Sequence, residues 1–279
     1  MPLPETHRKQ SVAGAARLAF ASWVNGAGRV GREFGEVRVL GEPDGSFTVH
    51  HRKDDPESDL EVHTDPRAAR LIARLTDAAD YRPLKSSPNL RRGWRLDLSG
   101  DAALLEAMNG LYPAAVAHWH LEREGRLGIT NFRENAGRQS GIYERIKHLS
   151  DGAVQNAARA CCEDSVCLKR TLWDVDEATP LAARRGAGEI PCPEPCSVFV
   201  AFARKVRSFE KEEPYRNDDP NGLTPSERKD LVALVGSVAD GRPELAREAE
   251  FDEPLNVRRM RYRSLTLTPK LEAAEVEKG

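Results

Sequence analysis

Between residues 11 and 24 the apolar side chains Val12, Ala15, Leu18, Ala19 and Trp23 recur near helical spacing, and Asn25-Gly26 closes the run with a turn signal. A first helix is predicted there. The period then drops to two in Glu36-Val37-Arg38-Val39-Leu40 and in Ser46-Phe47-Thr48-Val49-His50, on either side of Gly41-Glu42-Pro43-Asp44-Gly45, which is the pattern of a hairpin. Leu60-Glu61-Val62-His63 adds a strand. Asp65-Pro66 opens a helix carrying Ala69, Leu71, Ile72 and Leu75, and alternation resumes in Gly93-Trp94-Arg95-Leu96-Asp97-Leu98.

From Asp101 the pattern becomes helical again. One long helix is predicted with Leu104, Met108, Leu111, Ala115 and Trp119 on its apolar stripe, running to Gly125. Further helices are expected through Ile142 and Ile146, and through Val154, Ala157 and Ala158. Another carries Phe199, Phe202, Val206 and Phe209, with Pro195 at its first turn. Glu212 to Gly222 reads as a linker, and Thr224-Pro225-Ser226-Glu227 is a capping box that starts a helix through Leu231, Leu234, Val235 and Val238. Arg259 to Leu267 reads as a strand with Arg259, Arg261 and Arg263 on one solvated face, and Glu272 to Gly279 as a frayed end. The expected class is α+β. A small α+β domain (1–100) precedes a mainly helical domain (101–213) and a helix-strand C-terminal extension (214–279).

Composition narrows the setting. The 279 residues are 31% charged and 39% hydrophobic, and no apolar stretch approaches the roughly 20 residues that span a bilayer. A soluble protein with no membrane partner is expected. The segment Met1 to Gln10 has His7, Arg8 and Lys9 but no apolar core after them, so a cytoplasmic location is expected rather than secretion. A net charge of -2 gives no general attraction to nucleic acid, and the arginines of residues 258–263 have no aromatic platform beside them.

The candidate chemistry lies in the five cysteines, arranged CC-x4-C-x24-C-x3-C at Cys161, Cys162, Cys167, Cys192 and Cys196. Where thiols are kept reduced, such clusters hold metal or do redox chemistry more often than they form disulfides. Helical phase puts Cys161 on the stripe of Val154, Ala157 and Ala158, hence in the core. Cys162 lies further round, where Glu163-Asp164-Ser165 stops the helix and loops the chain towards Cys167. Pro191-Cys192-Pro193-Glu194-Pro195-Cys196 is a stiff extended arm that leaves Cys196 at a helix N-terminus, a place that favours a thiolate. Four thiolates suit an iron-sulfur cluster or tetrahedral zinc; the x4 and x3 spacings favour the larger inorganic core, and a metal-free reading stays open.

Several runs together resemble a known family. They are Tyr112-Pro113-Ala114-Ala115-Val116, Ala136 to Tyr143, Cys162-x4-Cys167-Leu168-Lys169-Arg170 with Trp173, and Pro191-Cys192-x3-Cys196. The whole is similar to the iron-sulfur domain appended to some CbiX-type sirohydrochlorin cobaltochelatases. Tyr81-Arg82-Pro83-Leu84-Lys85 and Pro88 to Trp94 resemble the small stabilising domain that precedes it. The resemblance covers residues 35 to 210 and implies a 4Fe-4S cluster held by Cys162, Cys167, Cys192 and Cys196. It further implies a place in cobalamin and tetrapyrrole synthesis, with a cobaltochelatase or redox protein as partner. The chelatase segment itself is not found in this sequence, which favours an electron-transfer or accessory module over metal insertion. The alternative is a zinc-stabilised interaction module.

Three weaker candidates remain. His118, His120, Glu122 and Glu124 form two i, i+4 pairs able to bind a metal, against the plainer reading of helix-surface pairs around a core Trp119. Arg91, Arg92 and Arg95 around Trp94 could receive a polycarboxylate tetrapyrrole, against solvated arginines at a strand entry. Gly137-Arg138-Gln139-Ser140-Gly141 lacks the features of a phosphate loop and reads either as close backbone approach to a cluster or as a helix entry.

Overall fold

The computed structural model describes residues 5–73, 90, 92–164, 166–212, 223–239 and 257–276. The chain forms two compact units, and the first comprises Met1–Ile129, Cys167–Leu172 and Gly186–Pro193. It contains helices α1 (Glu5–Asn25), α2 (Ala68–Ile72), α3 (Gly100–Leu111) and α4 (Ala115–Arg123). Its strands are β1 (Arg32–Phe34), β2 (Val37–Gly41), β3 (Phe47–His51), β4 (Glu61–His63) and β5 (Trp94–Leu98), with the two-residue strands β6 (Arg170–Thr171) and β7 (Pro191–Cys192).

The five longer strands form one sheet in the order β1-β2-β3-β5-β4, antiparallel except for β4 on β5. The predicted hairpin is β2 and β3, with Val39 opposite Val49. Alternation places Val37, Val39, Phe47, Val49, Trp94, Leu96 and Leu98 in the core, where Phe20 and Val24 of α1 and Leu104, Met108 and Trp119 of α3 and α4 are also buried. Leu71, expected on the apolar side of α2, is exposed, and Leu75 lies outside the described residues.

The long helix expected from Asp101 is instead two helices. Pro113 has no N–H to continue α3, and Ala114 takes a left-handed conformation with φ 62° before α4 begins. The break turns Tyr112 into the core, where its hydroxyl accepts the Glu36 N–H at 2.7 Å. Gly35, at φ 66°, is required there because a Cβ would stand 2.6 Å from that hydroxyl oxygen.

The second unit comprises Thr130–Val166, Trp173–Arg185 and Glu194–Gly279. Its helices are α5 (Phe132–Gly137), α6 (Asp151–Cys161), α7 (Ser197–Glu210), α8 (Pro225–Ala239) and α9 (Val257–Val276). A 3₁₀ helix, Gly141–His148, occupies the region read as a helix through Ile142 and Ile146; Ile146 is buried and Ile142 exposed. The predicted capping box is made in full. Glu227 N–H donates to Thr224 Oγ1 at 3.2 Å, and Thr224 N–H donates to Glu227 Oε2 at 2.8 Å. Of the predicted linker, residues 213–222 lie outside the described residues.

The strand expected over Arg259 to Leu267 is helix α9, and its arginines are not a solvated face. Arg259 and Arg263, four apart, both reach Asp230 on α8, at 2.8 and 2.7 Å, and Asp230 is 1% exposed. The Arg263 guanidinium also lies 3.9 Å from the Phe209 ring centroid, and Lys270 pairs with Glu227 at 2.8 Å. Arg261 pairs with Glu163 at 2.8 Å.

Two outcomes follow from this packing. Tyr112→Phe leaves the buried Glu36 N–H without its acceptor and is expected to lower unfolding stability by about 1–3 kcal/mol, read by denaturant titration. The second concerns Glu227: burial alone would raise its pKa, but Lys270, the Thr224 N–H and Arg263 outweigh it and hold the carboxyl below its ordinary value. A group depressed in the folded state stabilises above its unfolded pKa and loses that stabilisation as pH falls through the folded one. Stability should therefore fall on acidification below the usual carboxylate range, and Glu227→Gln should make that fall shallower.

Candidate metal centre

All five cysteines are free thiols, and four of them, Cys161, Cys162, Cys167 and Cys192, are buried. Cys161 is the last residue of α6, on the same buried stripe as Val154, Ala157 and Ala158, as its helical phase predicts. Cys162 caps the helix with φ −115° and ψ −11°, its N–H bonded to Ala158 O at 2.7 Å. The chain leaves in a turn closed by Val166 N–H on Glu163 O at 2.8 Å, so the polar residues after Cys162 do end the helix.

Cys196 is the N-cap of α7, extended at φ −74° and ψ 165°, and its carbonyl accepts the Val200 N–H at 2.9 Å. Pro195 therefore precedes the cap rather than sitting in the first turn. No side-chain capping bond is made by Cys196. The residue before it is held by Asn135, whose Nδ2 donates to Pro195 O at 3.4 Å, while Gln139 Nε2 donates to Asn135 Oδ1 at 3.2 Å. Phe199, three residues after Cys196, meets Trp173 edge-on with centroids 5.0 Å apart.

The first unit holds Cys167 and Cys192. Lys169 N–H donates to Cys167 Sγ at 3.4 Å, the kind of backbone bond that lowers charge on a ligating thiolate. Cys192 lies in β7, paired in parallel with β6 so that Thr171 stands opposite Cys192 and Arg170 opposite Pro191. The bonds are Arg170 N–H to Ile190 O at 2.8 Å and Leu172 N–H to Cys192 O at 3.0 Å. The arm is extended as its prolines dictate, and it forms a strand that the sequence gives no period to reveal.

Sequence reading also missed the ion pair that flanks this ladder. Both guanidinium nitrogens of Arg170 reach Glu122 on α4, at 2.8 and 2.7 Å, and Arg170 Nε donates to Gly188 O at 3.2 Å. Glu122 pushes the Arg170 pKa still higher by this bonding. The pair spans 48 residues and leaves no local signal.

The weaker candidates fare differently. Both Glu122 oxygens are engaged by Arg170, so the metal reading of His118 with Glu122 lacks its carboxylate; His120 is buried and Glu124 exposed. Trp94 is 3% exposed in the core and offers no face for stacking, Arg95 is bonded to Asp97 and Pro56 O, and Arg91 lies outside the described residues. Gly141, at φ 61°, opens the 3₁₀ helix, which favours the helix-entry reading of the glycine run.

Among the described residues, no three or more His, Cys, Asp or Glu side chains are gathered as a metal site. The donor set nevertheless suits iron and sulfide, because it is thiol-only and thiolates are the ligands of such clusters. Trp173 Nε1, in the unit of Cys162 and Cys196, and Trp119 Nε1, on the α4 helix that packs against β7, are buried without an acceptor among the described residues.

Comparison with known proteins agrees with this chemistry. Residues 124–205, which enclose all five cysteines, match the family described as 4Fe-4S iron-sulfur cluster binding domain, and residues 17–123 match the DR2241 stabilising domain. No curated protein matches the chain. A solved structure, DR2241 from Deinococcus radiodurans, is similar at 27% identity and a TM-score of 0.56, over 70% of this chain and 41% of that one. It is described as a multi-domain protein with structural similarity to chelatases and two additional novel domains. This chain thus spans about two fifths of that protein's length.

Proposed function

We propose that this chain, whose residues 17–123 match the DR2241 stabilising domain and whose residues 124–205 match a 4Fe-4S cluster binding domain, is an iron-sulfur protein with a redox or accessory role beside a chelatase of tetrapyrrole metabolism. The observation that carries the reading is the coincidence of all five cysteines with the matched cluster-binding region. The ligands are Cys162, Cys167, Cys192 and Cys196, and Cys161 is a core residue. A 4Fe-4S cluster bound there supplies one-electron transfer.

The chain's own residues have defined tasks in this scheme. Cys196 stands at the N-cap of α7, at the positive end of the helix. Lys169 N–H draws charge from Cys167 and so favours the more reduced state of whatever the sulfur binds. Asn135 holds the backbone ahead of Cys196, and the β6–β7 pairing holds Cys192. The link to cobalt insertion and cobalamin rests on the chelatase likeness of DR2241, of which this chain matches 41%, and a chelatase or its electron donor is the partner that likeness points to. No helix among the described residues is long and apolar enough to cross a membrane.

Anaerobic purification followed by metal and sulfide analysis tests the cofactor. A brown protein with iron and acid-labile sulfide in equal amounts is expected; a colourless protein with stoichiometric zinc would establish the stapled interaction module instead. The ligand set is tested by single substitutions. Cys161→Ala should keep the iron content of the parent, whereas Cys162→Ala, one residue later, should lose the cluster, and the reverse pattern would overturn the assignment.

A further inference from the structure

Gly188 and Glu122 bear on the first unit's two cysteine segments from opposite sides. A Cβ at position 188 would stand 2.5 Å from Leu168 O, so only glycine lets the backbone ahead of β7 lie against the residue that follows Cys167. The same Gly188 carbonyl accepts Arg170 Nε at 3.2 Å. Arg170, itself in β6, therefore holds the segment leading into β7 at two points, through its side chain at Gly188 O and through its N–H at Ile190 O. Its fork is then fixed by Glu122, with two bonds at 2.8 and 2.7 Å and both side chains about a third exposed or less, at 30% and 27%. Leu168 packs on the unit's core and Ile190 is 1% exposed, so both strands are anchored beneath as well.

We infer that Glu122 is a positioning residue for the cluster: acting through Arg170 and Gly188, it sets the register of the segments bearing Cys167 and Cys192. The inference rests on the reading of these two cysteines as ligands. The clamp is made entirely of protein groups, so the register exists before any iron arrives, and cluster assembly does not have to order this pair of strands. Removing the charge of Glu122 releases one side of the Arg170 fork, and adding a methyl group at Gly188 forces the strands apart without touching the ion pair. Two independent perturbations then act on one property.

The test compares Glu122→Gln, Gly188→Ala and, as a control at the exposed C-cap of the same helix, Glu124→Gln, all reconstituted with iron and sulfide. Cluster loss to excess EDTA, the electron paramagnetic resonance spectrum of the reduced protein and circular dichroism of the apoprotein are recorded. Glu122→Gln and Gly188→Ala are expected to lose the cluster about 10–100-fold faster and to change the spectrum, the scale known for residues that orient metal ligands, while Glu124→Gln matches the parent. Loss rates and spectra equal to the parent in Glu122→Gln, with native circular dichroism, would overturn the inference. Should Gly188→Ala fail to fold, Glu122→Gln decides alone. Cys167→Ser and Cys192→Ser are measured alongside: full iron in both would refute the ligand reading itself, a result separable from an inert Glu122.

Discussion

The parallel register of Arg170–Thr171 on Pro191–Cys192 is the constraint on which the cysteine-bearing part of the first unit depends. A two-strand ladder this short is marginal in water, and its two backbone bonds would not hold it unaided. Its persistence is a property of its surroundings. Gly188 permits the close approach at Leu168, the Glu122–Arg170 pair fastens one strand to α4, and Ile190 and Leu168 tie both to the sheet-and-helix core. The helix break at Pro113 belongs to the same arrangement. It places Tyr112 against Gly35, and the Cβ that Gly35 lacks would also stand 3.1 Å from Ile190. Sheet, helix break and cysteine arm are thus packed around a few shared atoms.

That arrangement explains what the amino-acid pattern could and could not disclose. Helix α1, the β2–β3 hairpin and the Thr224 capping box are local, and each leaves a periodic or capping signature within about a dozen residues. The two-residue strands β6 and β7 leave none, and Glu122 and Arg170 are brought together only by the fold. Of the cysteine site, the burial of Cys161, the helix stop after Cys162 and the capping position of Cys196 were legible from phase, polarity and proline. The backbone donor to Cys167, the strand pairing of Cys192 and the Asn135 bond to Pro195 required coordinates.

The misreading of α9 has a separate cause. Alternation of Arg259, Arg261 and Arg263 looks like a strand with one wet face, because arginine is ordinarily exposed. Here Arg259 and Arg263 share one helical face and are buried on Asp230, while Arg261 turns to Glu163. Burying two guanidinium groups on one carboxylate is costly unless further partners complete the set. Phe209, Ser226 and Glu227 supply them, which makes the capping box of α8 part of the same network, through Glu227 and its bond to Lys270.

In the second unit the two proposed ligands stand at opposite ends of helices, and their electrostatics differ accordingly. Cys196 caps the N-terminus of α7, where unpaired N–H groups stabilise negative charge, whereas Cys162 follows the C-terminus of α6, where carbonyl groups disfavour it. Cys161, one residue earlier, lies inside the apolar stripe with none of the freedom that the helix end gives Cys162. On the proposed assignment, adjacent thiols of identical chemistry are divided between packing and ligation by the point at which a helix stops.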